Sequence, residues 1–538
     1  MSLLVFVYLL VLFVFSGLSI RLGDRIGFYM VLFFPLFLFF SAYSINKKLS
    51  IPKKLGVAWF AFSIFDLIAT YFSPNRELSI ERFLIYQASF LAGIGFYSLK
   101  QKINNSLDAG IKWSAVIFVL AFLFKDYLLS SVRLIDTNQA FNFFYPYYPD
   151  NNHLGIWLGL VLIYLFANKK YFNTIVYLPF FILSLSRSAF VALYGVMVIN
   201  LMQGKAYTVN SLIKSKKRFW ILLIVVSTLF LVGVAIFIPR NTLIGHRDKY
   251  IEVALRGFRE SPLIGIGPGN YVYISRQYSA LTKGTFGTSS HNIFTDILSG
   301  SGIFAFVWFC VFFYLAVRHR QNNRYFNSFI YLFLCFMMTY IYLMPVMMLL
   351  FMSYLGLSYQ EEENYNIPPI IPLTSIAIFL VGICLLFSEV LYLRENYEQS
   401  LKIYPYRNNA YQEMISQIPY DQKEELLTKL ETYKKHFPDS FDQLNYSANI
   451  YSRMGEYEKA LADYKKLYRE GTGFNVYFAK EISQLYLKLN DPVAAYRFSI
   501  NFIREVFDNP DKYGHMTYNV KLFCIDTYKF FLNKSECK

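Results

Sequence analysis

Charge is scarce in this sequence. Only 16% of its 538 residues are Asp, Glu, Lys or Arg, while 55% are hydrophobic and 20% aromatic. Soluble domains rarely combine so much apolar content with so little charge, so a soluble globular reading is excluded. Cysteine is scarce as well: there are five. Cys310, Cys335 and Cys384 fall in apolar stretches, and Cys524 and Cys537 lie in the tail, where they would be able to pair if the tail is outside. With no Cys-x-x-Cys and no Cys/His cluster, no metal site is expected. A Walker motif is missing too, because no Gly-Lys-Ser/Thr follows the glycine-rich run at 261–270. No cofactor is expected.

What the sequence has is apolar runs. They come in blocks of roughly 17–25 residues, the length a helix needs to cross the hydrocarbon core. The blocks are 1–20, 26–45, 55–72, 83–99, 113–124, 153–167, 172–186, 188–202, 219–238, 292–317, 327–358 and 370–393. The expected fold is all-α, a polytopic membrane helix bundle of about 12 spans. Residues 1–20 lack a basic start and a small-residue cleavage site, and more spans follow, so they read as a span rather than a signal peptide.

The net charge of +16 invites a nucleic-acid reading, but its distribution argues against one. With the N-terminus inside, the inner loops 46–54, 100–112, 168–170, 203–218 and 318–324 hold 17 Lys/Arg and a single acid, Asp108. The outer loops up to 187 hold seven Lys/Arg against six acids. This is the positive-inside asymmetry, so the basicity is mostly topological. No aromatic-basic recognition motif accompanies it, and no nucleic acid is expected as a partner.

Two regions break the pattern. One is the loop 239–290, which this orientation puts outside. The other is the polar tail from 394, so the chain divides into a membrane domain, 1–393, and a tail, 394–538. In the tail, Leu444, Ala448, Tyr451, Gly455, Tyr457, Ala460 and Tyr464 fall at tetratricopeptide spacing, and Ile482, Tyr486, Ala495 and Ser499 make a weaker copy. Residues 420–438 read as a degenerate cap. Such a tail either binds a protein partner or is simply a small helical domain. Its side depends on 327–358, a block interrupted by Pro345: a hairpin there sends the tail outside, whereas one tilted helix sends it inside.

The loop 239–290 carries seven Lys/Arg (Arg240, Arg247, Lys249, Arg256, Arg259, Arg276, Lys283) and three acids. A basic lining beside a membrane suits an anionic substrate, and arginine's planar fork matches phosphate oxygens. The bland alternative for any one of them is a solvated surface charge. Ser261 through Asn270 is a dense turn signal. Its glycines, Gly267 and Gly269 among them, either form a tight turn or present backbone N–H groups to phosphate. His291, in Ser289-Ser290-His291-Asn292 at a span boundary, is a candidate general base or donor, or an interfacial His without a role. Arg187 sits between two apolar segments, where a charge is costly without a partner or a function; the alternative is a hairpin tip reaching headgroups. Asp66, inside the third span, is a further ionisable group with no assigned role.

Together these pieces resemble the O-antigen ligase/polymerase superfamily, which also contains bacterial O-oligosaccharyltransferases. The signature is carried by Arg247-Asp248-Lys249-Tyr250, Ala254-Leu255, Glu260 through Tyr271, His291-Asn292 and Ser299-Gly300-Ser301-Gly302. Arg187, in Leu-Ser-Leu-Ser-Arg-Ser, and Asn151-Asn152-His153-Leu154-Gly155 fit the same family. Tyr250 stands where the family often has Trp. The close match covers 150–302.

The resemblance implies a GT-C-like membrane domain that takes a glycan from an undecaprenyl-diphosphate carrier. The glycan passes to lipid A-core, to a second glycan or to a protein, on the outer face of the bacterial inner membrane, without a required metal. It implies that Arg187 and Arg247 hold the diphosphate and His291 assists the acceptor. Arg256, Arg259, Asn292, Gly267, Gly269 and His153 would support substrate binding. Direct displacement would invert the anomeric centre. No paired carboxylates of a glycosidase type are evident. A lipid-linked glycan flippase is the competing class. It would place its ionisable residues at mid-membrane rather than at the outer boundary.

Overall fold

In lipid every backbone polar group has to be satisfied internally, so apolar runs fold as helices. The computed structural model describes residues 7–8, 28–38, 50–123, 151–168, 170–184, 186–202, 247–278, 287–321, 323–360, 364–366, 370–438, 440–470 and 475–508. The expected span 219–238, most of 1–20, the inner stretch 203–218, Arg240, Lys283, Cys524 and Cys537 lie outside the described residues.

The described chain is all-α apart from one short antiparallel pair, Ser50–Pro52 with Asn364–Asn366. The helices of the membrane part are α1 Phe28–Leu38, α2 Lys53–Tyr71, α3 Arg76–Leu123, α4 Asn151–Ala167, α5 Tyr171–Leu183, α6 Arg187–Met202, α7 Arg247–Glu260, α8 Tyr271–Gln277, α9 Ile293–Arg318, α10 Arg324–Phe336, α11 Pro345–Ser358 and α12 Ile370–Leu393. Three of them, Lys53–Tyr71, Ile293–Arg318 and Leu373–Leu393, contain a stretch long and apolar enough to cross a membrane. Shorter apolar helices surround them, and the protein is a membrane protein.

One expectation changes form. The polar stretch 100–112, read as an inner loop, belongs to α3, which is helical without interruption from Arg76 to Leu123. It holds no proline, and polarity marks where lipid ends rather than where a helix must stop. Asp108 of this stretch pairs with Arg324 at 2.7 Å, joining two segments expected on the same inner side.

The block 327–358 is a hairpin. α10 and α11 have 13 and 14 residues, about 20 Å each. They are joined through a 3-10 turn at Tyr340–Leu343. Their open ends, opposite the turn, meet, with Gln321 N–H donating to Ser358 O at 2.6 Å and Gln360 N–H to His319 O at 2.8 Å. Pro345 opens α11, where a missing N–H costs nothing. At mid-hairpin α11 presses on α3: a Cβ on Gly93 would lie 2.6 Å from the Met352 carbonyl, so only glycine allows this approach.

The hairpin sets the direction of α12 and so the place of the tail. The tail helices are α13 Tyr397–Ile403, α14 Asn408–Ser416, α15 Lys423–His436, α16 Phe441–Arg453, α17 Tyr457–Glu470, α18 Asn475–Lys488 and α19 Pro492–Asp508. Leu444, Ala448, Tyr451, Ala460, Tyr464, Ile482 and Ala495 are buried where successive helices pack. The tail docks on the end of the molecule that carries α7 and α8. Asp442 pairs with Arg276 of α8 at 2.8 Å, and the Arg276 guanidinium lies 4.9 Å from the Phe441 ring. Asn408 N–H donates to Glu77 at 3.1 Å, and Arg76 donates to the Tyr406 hydroxyl at 3.2 Å.

α9 is broken at Gly302, whose φ of 78° and ψ of −178° are not helical. A broken helix at membrane depth needs other partners for the backbone groups it frees. The glycine-rich turn supplies them. Ile266 N–H donates to Ser299 O at 3.0 Å, Gly267 N–H to Gly300 O at 2.8 Å, and Ile303 N–H reaches back to Pro262 O at 3.0 Å. A Cβ on Gly302 would sit 2.2 Å from the Leu263 carbonyl oxygen. Gly302→Ala is therefore expected to destabilise the protein by about 2–3 kcal/mol, from strain at positive φ plus displaced backbone. Thermal unfolding in detergent, compared with a Gly195→Ala control, measures it.

Candidate functional site

Arg187 and Arg247 are each the first residue of a helix, α6 and α7. Each therefore adds a side-chain cation to the positive end of a helix dipole. The two N-termini come together: the Arg187 charge acts on Arg247. Burial first, then that neighbour, hold the Arg247 guanidinium below its usual value. No carboxylate among the described residues forms an ion pair with Arg247.

His291 sits half-buried next to Arg247. Its ring centroid lies 5.1 Å from that of Tyr250, one turn along α7 from Arg247, and 5.3 Å from that of Tyr340 at the hairpin tip. Burial, and then the Arg247 charge, pull its imidazole down to about 4. It is neutral at pH 7 and keeps a lone pair. The folded value lies below the ordinary 6.5. The stability linked to this group is thus present above that value and lost as pH falls towards 4. Tyr250 is itself fixed, because the Tyr271 hydroxyl donates to the Tyr250 carbonyl at 2.8 Å.

The other candidates fall elsewhere. Arg256 is nine residues beyond Arg247, half a helical wheel away. It pairs with Glu252 at 2.8 Å and lies over the Tyr278 ring at 5.2 Å. Arg259 is exposed in the last turn of α7. Asn292 caps α9, its side chain accepting from Phe294 N–H at 2.9 Å and Thr295 N–H at 3.3 Å. Gly267 spends its N–H on Gly300, which fits the tight-turn reading better than a phosphate cradle. Gly269 lines a small cavity with Arg82 and Asp296. Asn270, buried in the same turn, donates to Ser73 and Ser79 at 2.6 and 2.8 Å and so ties the turn to the α2–α3 link. His153 is the third residue of α4, and its side chain is outside the described residues. Asp66 is fully buried and accepts from Ser301, beside the α9 break, at 2.6 Å.

Three residues at the site carried no signal of their own in the sequence. Tyr340 borders His291. Asp296 and Arg82 brace the hairpin tip, with Arg82 donating to the Leu343 carbonyl at 2.9 Å. A charge inside an apolar run was the one available hint, and Asp296 sits five residues beyond the signature His, in the first turn of α9.

The site lies in a region with known relatives. Residues 172–310 match the O-antigen ligase family. A ComP-specific O-oligosaccharyltransferase of Acinetobacter baylyi is 26% identical over 292 residues, which is 48% of this chain and 51% of that protein. The chain thus spans about half the length of this curated relative. No solved structure matches it. The motif residues Arg187, Arg247 and His291 all fall inside the segment 172–310 that is similar to the O-antigen ligase family.

Proposed function

We propose that this protein transfers a glycan from an undecaprenyl-diphosphate carrier to an acceptor at the outer face of the bacterial inner membrane. The observation that carries this is the meeting of Arg187, Arg247 and a neutral His291 beside two helix N-termini, with no carboxylate among the described residues paired to Arg247. An acceptor hydroxyl attacks the anomeric carbon, and the bond from that carbon to the diphosphate oxygen breaks. The two guanidinium groups stabilise the charge that gathers on the leaving diphosphate. The hydroxyl proton passes to the His291 imidazole. A single displacement inverts the anomeric centre and needs no metal.

O-antigen ligation to lipid A-core is the first reading, supported by the family match. A protein acceptor is the second. It is favoured by the name of the relative and by the tail, whose helices dock beside the α8 end of the site. In this reading the tail is a tetratricopeptide-like module that receives a protein, and the membrane domain has twelve spans. Polymerisation of a second lipid-linked unit uses the same chemistry.

Purified protein in liposomes tests the class of activity. Glycan joined to an added acceptor is expected, and lipid scrambling without transfer would make it a flippase. Two further outcomes follow from the geometry. Arg256→Gln, on the far face of α7, is expected to keep kcat/KM within about threefold, since exposed pairs contribute little. The kcat/KM profile is expected to be flat between pH 6 and 8, without an acid limb near 6.5, because the free imidazole titrates well below.

A further inference from the structure

His291 has a φ of 60°, a conformation few non-glycine residues adopt. Such a residue persists only where its surroundings over-determine it. Here the turn is bound on every side. His291 N–H donates to Ser289 Oγ at 3.2 Å, and Ser290 Oγ donates to Asn292 O at 2.9 Å. The strongest tie is Asp296. One carboxylate oxygen accepts the Ser290 N–H at 2.7 Å, and the other accepts the Tyr342 hydroxyl. Tyr342 belongs to the 3-10 turn of the hairpin, two residues after Tyr340, which borders the imidazole. Asn292 adds a second link by donating to the Met337 carbonyl at 3.3 Å. Arg82 holds the far side of the tip through the Leu343 carbonyl and adds a positive charge near Asp296.

We infer that Asp296 is a positioning residue for glycan transfer. With Tyr342, it locks the 289–292 turn to the α10–α11 hairpin and so sets where the His291 imidazole stands. This rests on the function proposed above. Asp296 touches neither carrier nor acceptor. It acts through the backbone of Ser290, so its loss misplaces the base while leaving the two arginines in place. A misplacement of about 1 Å costs on the order of 100-fold in rate.

The test is steady-state transfer by full-length protein in liposomes, with undecaprenyl diphosphate binding measured alongside. Asp296→Ala is expected to lower kcat by about 100-fold, with the donor KM and diphosphate affinity unchanged. Asp296→Asn keeps an acceptor for Ser290 N–H and is expected to recover at least tenfold of that loss. Tyr342→Phe is expected to lose about tenfold, and the Asp296→Ala/Tyr342→Phe double variant to be no slower than Asp296→Ala alone, because both act through one turn. Should Asp296→Ala not fold, Asp296→Asn and Tyr342→Phe still decide. Wild-type kcat in Tyr342→Phe, or a loss in either Asp296 variant that comes through diphosphate affinity, overturns the inference. His291→Ala run in parallel separates the two levels. If wild type transfers no glycan, the proposed function itself is wrong; if His291→Ala transfers like wild type, His291 is not the base and the positioning role falls with it; if His291→Ala is dead while Asp296→Ala turns over at the wild-type rate, only the positioning role falls.

Discussion

His291→Ala is expected to cut kcat for glycan transfer by about 1,000-fold while leaving donor binding intact. Three features of the site set this size. The imidazole is neutral at working pH, held near 4 by burial and by Arg247, so its lone pair is unprotonated and can accept from a hydroxyl. Its ring is boxed between Tyr250 and Tyr340, which restricts the directions from which a hydroxyl can approach. And Asp296, although buried nearby, is engaged by Ser290 and Tyr342 and does not substitute as a base. The split between kcat and binding separates a base from a contact that merely holds the carrier. Single-turnover transfer with labelled donor reads it directly.

Arg247→Ala is expected to lose about 100- to 1,000-fold in kcat/KM, the scale seen when one donor to a developing oxyanion is removed. The loss here includes binding, because the diphosphate is charged in the ground state as well as the transition state. Arg247→Lys keeps the charge but not the fork of donors, and is expected to recover only part of the rate. Arg187 is more exposed, so water screens its contribution, and Arg187→Ala is expected to lose less than Arg247→Ala. The two charges disfavour one another. An anion between them would relieve that repulsion, which is the physical reason for placing the proposed diphosphate there.

The sequence made the membrane character legible because apolar length and charge asymmetry are one-dimensional properties. The hairpin at 337–344 was legible as one of two options, since a single proline inside an overlong apolar block either bends or turns it. What escaped were features that depend on contacts across the fold. The glycine-rich run pointed equally to a turn and to a phosphate cradle. Its place in the gap of α9 became visible only once Gly302 broke that helix 33 residues beyond Gly269. Likewise Arg256 and Arg247 look alike in the loop, and the helical turn between them separates a paired surface arginine from one facing His291. Asp296 showed only as a charge in an apolar run, because its partner Tyr342 lies 46 residues away. The polar stretch 100–112 looked like a loop, since composition reports solvent contact and not backbone conformation.

The central claim is that two guanidinium groups bind the departing diphosphate and a separate imidazole drives the transfer. Equilibrium binding of undecaprenyl diphosphate to nanodisc-embedded wild type, Arg247→Ala, Arg187→Ala and His291→Ala, with transfer assayed on the same samples, tests it most directly. Binding is expected to be at least tenfold weaker in Arg247→Ala, consistent with about 1.5–3 kcal/mol for a charged hydrogen bond. A smaller loss is expected in Arg187→Ala, and wild-type binding without transfer in His291→Ala. Wild-type affinity in both arginine variants, or transfer by His291→Ala, would contradict that claim.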